Sequence, residues 1–291
     1  MNENENDIDK PQGMKIRQSI QDAMTSSLPE KEFSEEKIDL VEIDIELNEL
    51  GWNFNNYTIL NLTDIHLGQW ISPQYLDELV DFVNTLNIDL ITLTGDYVSY
   101  RLDGYEEALK SSFKKLNAKD GKYGVLGNHD HWMGSDIIRN IFTSSDITDL
   151  SNDVVTLKKG EDCLNIAGVD SCTVCADNLD KVLANLPDYP SILLAHEPDF
   201  AKESSQTNKF DLQISGHSHG GQFIIPKFET TPFRGPNSRK YPVGLYKVGN
   251  MTQYTSKGLG TNSFRMRINC KPEITIIRLK TSKKRKISIS D

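Results

Sequence analysis

Residues 57–66 read YTILNLTDIH, a run of mostly apolar residues that breaks off at Asp64 into a polar turn. A run this short and apolar, without the polar alternation of a half-wet strand, is what a strand covered on both faces looks like. The pattern recurs in DLITLTGD (89–96), KYGVLGN (122–128), SILLAHEP (191–198) and FDLQISGH (210–217). Between the first three runs lie two helical stretches. SPQYLDELVDFVNTLN (72–87) sets Leu76, Leu79, Val80 and Val83 on one side, and GYEEALKSSFKKLN covers 104–117. Strand, helix, strand, helix, strand implies a parallel βαβ core and an α/β fold. Upstream, Val41, Ile43, Ile45 and Leu47 alternate with Glu42, Asp44 and Glu46, which predicts a strand with one wet face. Downstream, 221–280 carries short alternating segments (VGLYKVG, TQYTS, EITIIRLK) and predicts a second sheet packed on the first.

Composition bounds what this fold can serve. The 291 residues carry a formal charge of −10, which disfavours a nucleic-acid polymer or an anionic membrane surface as partner. Residues 1–36 are polar and without a sustained period, so they predict a disordered or weakly docked arm. One domain is expected over 37–280, followed by a basic flexible tail, 281–291, in which Lys283, Lys284, Arg285 and Lys286 could touch a membrane surface peripherally. No apolar run approaches the roughly 20 residues that span a bilayer, and MNENENDIDKPQ lacks the basic and apolar parts of a secretory signal. The expectation is a cytoplasmic protein without stable membrane insertion. Four cysteines in a chain of this size predict free thiols, the C-x-x-C spacing of Cys172 and Cys175 notwithstanding.

The histidines carry the chemistry. All six follow expected strand ends: His66 after LTD, His129 and His131 after VLGN, His196 after SILLA, His217 and His219 after LQISG. In open α/β sheets the carboxyl ends of the strands are where ligand sites form. Asp64, Asp96 and Asn128 stand at the ends of the same strands and add oxygen donors. Imidazole nitrogen combined with carboxylate oxygen suits a borderline transition metal such as Zn, Mn or Fe, not an all-oxygen calcium site. These candidate ligands are too many for one tetrahedral ion and fit two, and a carboxylate such as Asp96 can bridge ions about 3.5–4 Å apart.

Taken in order, DIH (64–66), GD (95–96), GNHD (127–130), His196 and GHSH (216–219) resemble the calcineurin-like metallophosphoesterases. The blocks LTDIHLG, LTGDYV, VLGNHDHW, LLAHEPDF, ISGHSHGGQ and SKGLG…KPEIT resemble the YkuE-like branch, which includes UDP-diacylglucosamine pyrophosphatases. The resemblance implies a four-layer αββα sandwich of two mixed β-sheets flanked by helices. It further implies that Asp64, His66 and His219 bind one divalent metal ion (Mn, Zn or Fe), that Asn128, His196 and His217 bind a second, and that Asp96 bridges. His129, with Asn128, would meet the scissile phosphate and protonate the leaving oxygen while a metal-bridging hydroxide attacks. Where many relatives have a second aspartate three residues after the bridging one, this chain has Ser99, which leaves the orientation of His129 open.

The implied activity is phosphodiester, pyrophosphate or phosphomonoester hydrolysis, on a small-molecule or lipid-linked phosphate ester. A small-nucleotide or UDP-sugar-lipid pyrophosphatase is the nearer alternative and a non-catalytic scaffold the more distant one. Trp70 and Trp132 are candidates to line the pocket mouth, and Arg234, with Arg101 and Arg239, to neutralise a phosphate.

Overall fold

The computed structural model describes residues 33–100, 102, 104–224, 235–262 and 265–282. Among them, twelve strands form two sheets of six. The chain runs β1 (Asp39–Leu47), β2 (Thr58–Leu62), α1 (Pro73–Thr85), β3 (Leu90–Thr94), α2 (Glu106–Lys115), β4 (Lys122–Val125), α3 (Asn128–Ser144), β5 (Ile147–Asp149), β6 (Asp153–Lys159) and β7 (Asp162–Gly168). It continues through α4 (Leu179–Asn185), β8 (Ser191–Leu194), α5 (Ala201–Ser204), β9 (Leu212–Ser215), β10 (Gly244–Val248), β11 (Met251–Thr255) and β12 (Glu273–Thr281).

The first sheet has the order β1-β12-β2-β3-β4-β5 and the second β10-β11-β9-β8-β7-β6. Pairing is parallel from β2 through β5 and from β7 through β9 to β11. Antiparallel pairs (β12 with β2, β6 with β7, β10 with β11) make both sheets mixed.

Three apolar clusters separate four layers. Leu76, Leu79, Leu109, Phe113, Ile138 and Phe142 from α1 to α3 pack on Leu60, Leu62, Ile91 and Leu93. On the opposite face of the same strands, Ile59, Leu90 and Val125 meet Ile166, Ile192, Leu194, Leu212 and Ile214 of the second sheet. The outer face of the second sheet, through Ala167, Leu193 and Met251, is covered by Leu179 and Val182 of α4 and by Phe200 and Ala201. Each central strand therefore buries alternate residues in two different cores, which is why β3, β4, β8 and β9 are buried throughout and read as mostly apolar runs without a wet face.

Local signals fix the elements that were expected. Helix α1 starts at Pro73 with Ser72 Oγ accepting the Tyr75 N–H at 3.1 Å, and buries Leu76, Leu79, Val80 and Val83. Strand β1 alternates as its sequence does, with Ile45 and Leu47 buried between exposed acidic residues. One expectation needs correction. The second sheet does not begin in 221–280: β6 to β9 already belong to it, and β12 leaves it to lie between β1 and β2. Alternation reports which face of a strand is wet, not which sheet it joins. Helix α3 starts inside the GNHD motif, and its helical geometry is interrupted at Gly134 (φ 125°), beyond the motif. Of the N-terminal arm, residues 33–36 are described, and the Phe33 ring lies 5.4 Å from that of Tyr75 and 6.0 Å from that of Phe82 on α1.

Candidate metal centre

Seven expected ligands stand at the carboxyl ends of five parallel strands: Asp64 and His66 after β2, Asp96 after β3, Asn128 after β4, His196 after β8, and His217 and His219 after β9. The two sheets pack so that these ends converge, and all but His217 are buried. Five of the seven have left-handed backbone: φ is 51° at Asp64, 48° at His66, 57° at Asp96, 66° at His217 and 51° at His219. Such residues cost of order 1–3 kcal/mol each and persist only where surrounding structure over-determines them. Here the turn after β2 brings Asp64 and His66 to one group of ligand atoms, whereas the turn after β9 sends His217 and His219 to different groups.

The ligand atoms form two groups joined by a third, His66, Asp96 and His129, whose atoms also lie within 4.8 Å of one another. Asp64, His66 and His219 present atoms within 4.8 Å of one another, as do Asp96, His196 and His217. In the first group His66 Nε2 lies 3.1 Å from His219 Nε2, and His219 Nε2 lies 3.4 Å from Asp64 Oδ1. In the second His196 Nε2 is 3.1 Å from both Asp96 Oδ2 and His217 Nδ1. Asp96 Oδ2 is also 3.6 Å from His66 Nε2, and the His217 N–H donates to Asp64 Oδ2 at 2.9 Å, so each group touches the other.

These residues fit divalent ions. Two pairs of imidazole nitrogens face each other at 3.1 Å, and the buried Asn128 Oδ1 has no hydrogen-bond partner among the described residues. Buried polar atoms are ordinarily satisfied, and a nitrogen-rich set with two carboxylates is the donor set of borderline transition metals. Electrostatics separate the groups. Burial and the neighbouring Asp96 push the Asp64 carboxyl up to about 6, with nearby His196 opposing. Burial, then the neighbouring imidazoles, holds His66 and His219 well below the ordinary histidine value. In the other group burial is outweighed: Asp96 raises His196 well above its ordinary value, and His196 with His129 holds Asp96 well below its own.

His129 sits beside both groups. Its backbone N–H donates to Asp96 Oδ1 at 2.9 Å, and its ring packs against His66, Tyr100 and Trp132 with centroids 4.7, 4.8 and 4.6 Å away. His129 Nδ1–H donates to the backbone carbonyl of Ser99 at 2.9 Å, and Ser99 Oγ donates to Gln69 Oε1. Ser99 thus orients the imidazole through its main chain. The carbonyl fixes the proton on Nδ1 and leaves Nε2 as the nitrogen available to a reacting group.

Trp132 is therefore brought to the centre, while Trp70 lies half-buried in the turn 68–70 after His66. Arg239 is exposed in a turn whose backbone N–H donates to Asp199, and Arg101 and Arg234 fall outside the described residues, as does the run Lys283 to Lys286. His131 joins neither group; its Nε2 meets Asp170 Oδ1 at 2.6 Å, and Arg139 holds the other oxygen at 2.9 Å. Cys172 and Cys175 are free, and burial with the Glu197 carboxylate pushes the Cys172 thiol up, away from the reactive thiolate.

Three further residues shape the centre and escaped the sequence reading. Asp130 accepts the N–H groups of Asp96, Tyr97 and Gly127 at 2.8 to 2.9 Å, fixing the loop of the shared carboxylate. Glu197 accepts from the Ser171 hydroxyl and from the Thr173 and Cys172 N–H groups, fixing the chain beside His196. Arg267 places its guanidinium Nη2 3.4 Å from His219 Nδ1. Asp130 and Glu197 each directly follow a site histidine, the one signal that could have marked them.

The chain is similar in sequence to known proteins. The sequence profile of the calcineurin-like phosphoesterases matches residues 57–221, from the start of β2 past the last histidine. The metallophosphoesterase YkuE of Bacillus subtilis is 32% identical over 250 residues, covering 84% of this chain and 86% of that one. Phosphodiesterase YaeI of Escherichia coli is 28% identical over 226 residues, covering 77% and 82%. A transmembrane protein with a metallophosphoesterase domain from Bos taurus is 30% identical over 259 residues, covering 82% of this chain and 56% of the longer relative. No described helix of this chain is long and apolar enough to cross a membrane. The chain belongs to the calcineurin-like phosphoesterase family and is a hydrolase of phosphoester bonds.

Proposed function

We propose that the protein is a dinuclear metal-dependent phosphoesterase whose two ions are held by Asp64, His66 and His219 on one side and by Asn128, His196 and His217 on the other, with Asp96 shared. The observation that carries this reading is the joining of two ligand groups through Asp96, whose Oδ2 lies 3.1 Å from His196 Nε2 and 3.6 Å from His66 Nε2. Bound divalent ions supply Lewis-acid stabilisation of phosphoryl charge and lower the pKa of coordinated water. The protein's own part is to hold Asp96 in place through the Asp130 and His129 backbone contacts, and to keep the His129 proton on Nδ1. His129 Nε2 then serves the leaving oxygen as hydrogen-bond partner and proton donor once protonated. Tyr100 and Trp132, packed against that ring, fix its plane.

The E. coli relative is named a phosphodiesterase, which supports a phosphodiester as the first substrate to assay. Apo-protein prepared by chelation, reloaded with Mn, Zn or Fe and assayed on bis-p-nitrophenyl phosphate, tests the reading. Cleavage should return only with metal and be absent in Asp96→Asn. Undiminished cleavage by the chelated chain or by Asp96→Asn removes the proposal.

A further inference from the structure

The four imidazoles of the two ligand groups differ in what backs their second ring nitrogen. His196 Nδ1–H donates to the Thr94 carbonyl at 2.7 Å, and His217 Nε2–H to the Pro236 carbonyl at 2.9 Å, the arrangement that orients a ligating imidazole and raises its basicity. No such carbonyl is found for the other pair among the described residues. His66 Nδ1 is buried without a hydrogen-bond partner, and His219 Nδ1 faces Arg267.

Arg267 makes no ion pair among the described residues; its fork is spent on main-chain carbonyls. Nε and Nη2 donate to Gly260 O at 2.8 and 2.6 Å, and Nη2 also reaches Lys257 O at 2.7 Å and Gly258 O at 3.0 Å. Nη1 reaches His219 O at 3.5 Å and Cys270 Sγ at 3.8 Å. The clamped loop in turn lies on the strand end that bears Asp64. Gly260 N–H donates to Asp64 O at 2.6 Å and Leu259 N–H to Thr63 O at 3.1 Å. A Cβ at Gly258 would stand 2.6 Å from Asp64 Cβ. One planar, multidentate cation therefore ties the His219 turn to the Asp64 turn, a geometry a lysine cannot reproduce. The same side chain makes no hydrogen bond to Asp96, His196 or His217.

We propose that Arg267 is the positioning residue of the Asp64–His66–His219 half of the centre: it keeps the two ligand-bearing turns in register, and its loss loosens that half while leaving the His196–His217 half intact. This rests on the two-ion reading above.

The test uses the full chain, stripped of metal and titrated with Mn²⁺, with bound ion counted by equilibrium dialysis and spin coupling followed by paramagnetic resonance. The wild type should take two ions and show a coupled pair. Arg267→Gln, which keeps a planar amide, and Arg267→Lys, which keeps the charge, should each retain one ion at wild-type affinity. Each should bind the other about 10- to 100-fold more weakly, without the coupled signal. Adding His217→Ala to Arg267→Gln should remove the remaining ion, whereas adding His219→Ala should spare it. Two ions at wild-type affinity in both variants overturn the proposal. So does equal loss of both ions, or apo-chains that fail to fold in both variants, since Arg267 would then act on the whole fold. A wild type that binds fewer than two ions defeats the dinuclear reading itself, and is seen before any variant is made.

Discussion

The two halves of the centre are built from the same residue types and held in opposite ways. The His196–His217 half rests on carbonyls at 2.7 and 2.9 Å and already contains its own ion pair, Asp96 with His196 at 3.1 Å. The Asp64–His66–His219 half holds its groups toward the uncharged state and is tied down by a guanidinium and a glycine loop. Rigid backing of an imidazole and neutralisation of its neighbours are alternative ways to keep a cluster of ligands together before a cation arrives. One chain uses both within a few ångströms, and variants can separate them.

The largest effect is expected where the halves meet. Asp96→Asn removes the carboxylate that both halves share and leaves His196 buried without its partner, a loss on the scale of about 3–5 kcal/mol. Both ions should be lost in dialysis, and phosphodiester cleavage with them. Next, His129→Gln should leave two ions bound while cleavage falls by about 10²–10⁴-fold, the usual contribution of a positioned proton donor. If metal is lost as well, His129 is a ligand and the halves are joined differently.

Two glycines offer a finer cut. An added Cβ at Gly216 would overlap Asp64 Oδ2, and one at Gly127 would overlap Asp96 Oδ1. Gly216→Ala should weaken the Asp64 half first, whereas Gly127→Ala, which displaces the shared Asp96, should weaken both ions, read as the ion count after dialysis. The smallest effect is a control remote from both. Asp89 accepts from Thr58 N–H, Thr58 Oγ1 and Lys119 Nζ at 2.9 Å each, and these contacts, against burial, hold its carboxyl below the ordinary 3.8. Asp89→Asn should cost about 1 kcal/mol, lowering Tm by about 2–4 °C, with both ions kept. Because the folded pKa is depressed, that contribution is full above the ordinary carboxylate range. It is lost as pH falls through the folded value, so wild type and variant should melt alike in strong acid.

Much of this was legible in the sequence because it is written in local patterns. The buried strands appear as apolar runs, α1 as a 3.6-residue period behind a Ser-Pro start, and the ligands as histidines and aspartates at strand ends. What stayed hidden is non-local. β12 follows the strands of the second sheet yet pairs with β1 and β2 of the first, and no period encodes that choice. Arg267 lies 48 residues from His219, in a stretch whose exposed Met266 and Ile268 give no sign that the half-buried side chain between them turns inward. Asp130 and Glu197 act on backbone N–H groups, contacts for which any acidic residue looks alike in sequence. His131, which shares its strand end with His129, turns away from the centre toward Asp170.

The central claim, that two joined half-sites each hold an ion, is tested most directly by counting metal. Apo-protein titrated with Mn²⁺ should bind two ions per chain, falling to one in His219→Ala and one in His217→Ala, with a spin-coupled spectrum only in the wild type. A wild-type chain that saturates at one ion, or two ions that survive both substitutions, would contradict it.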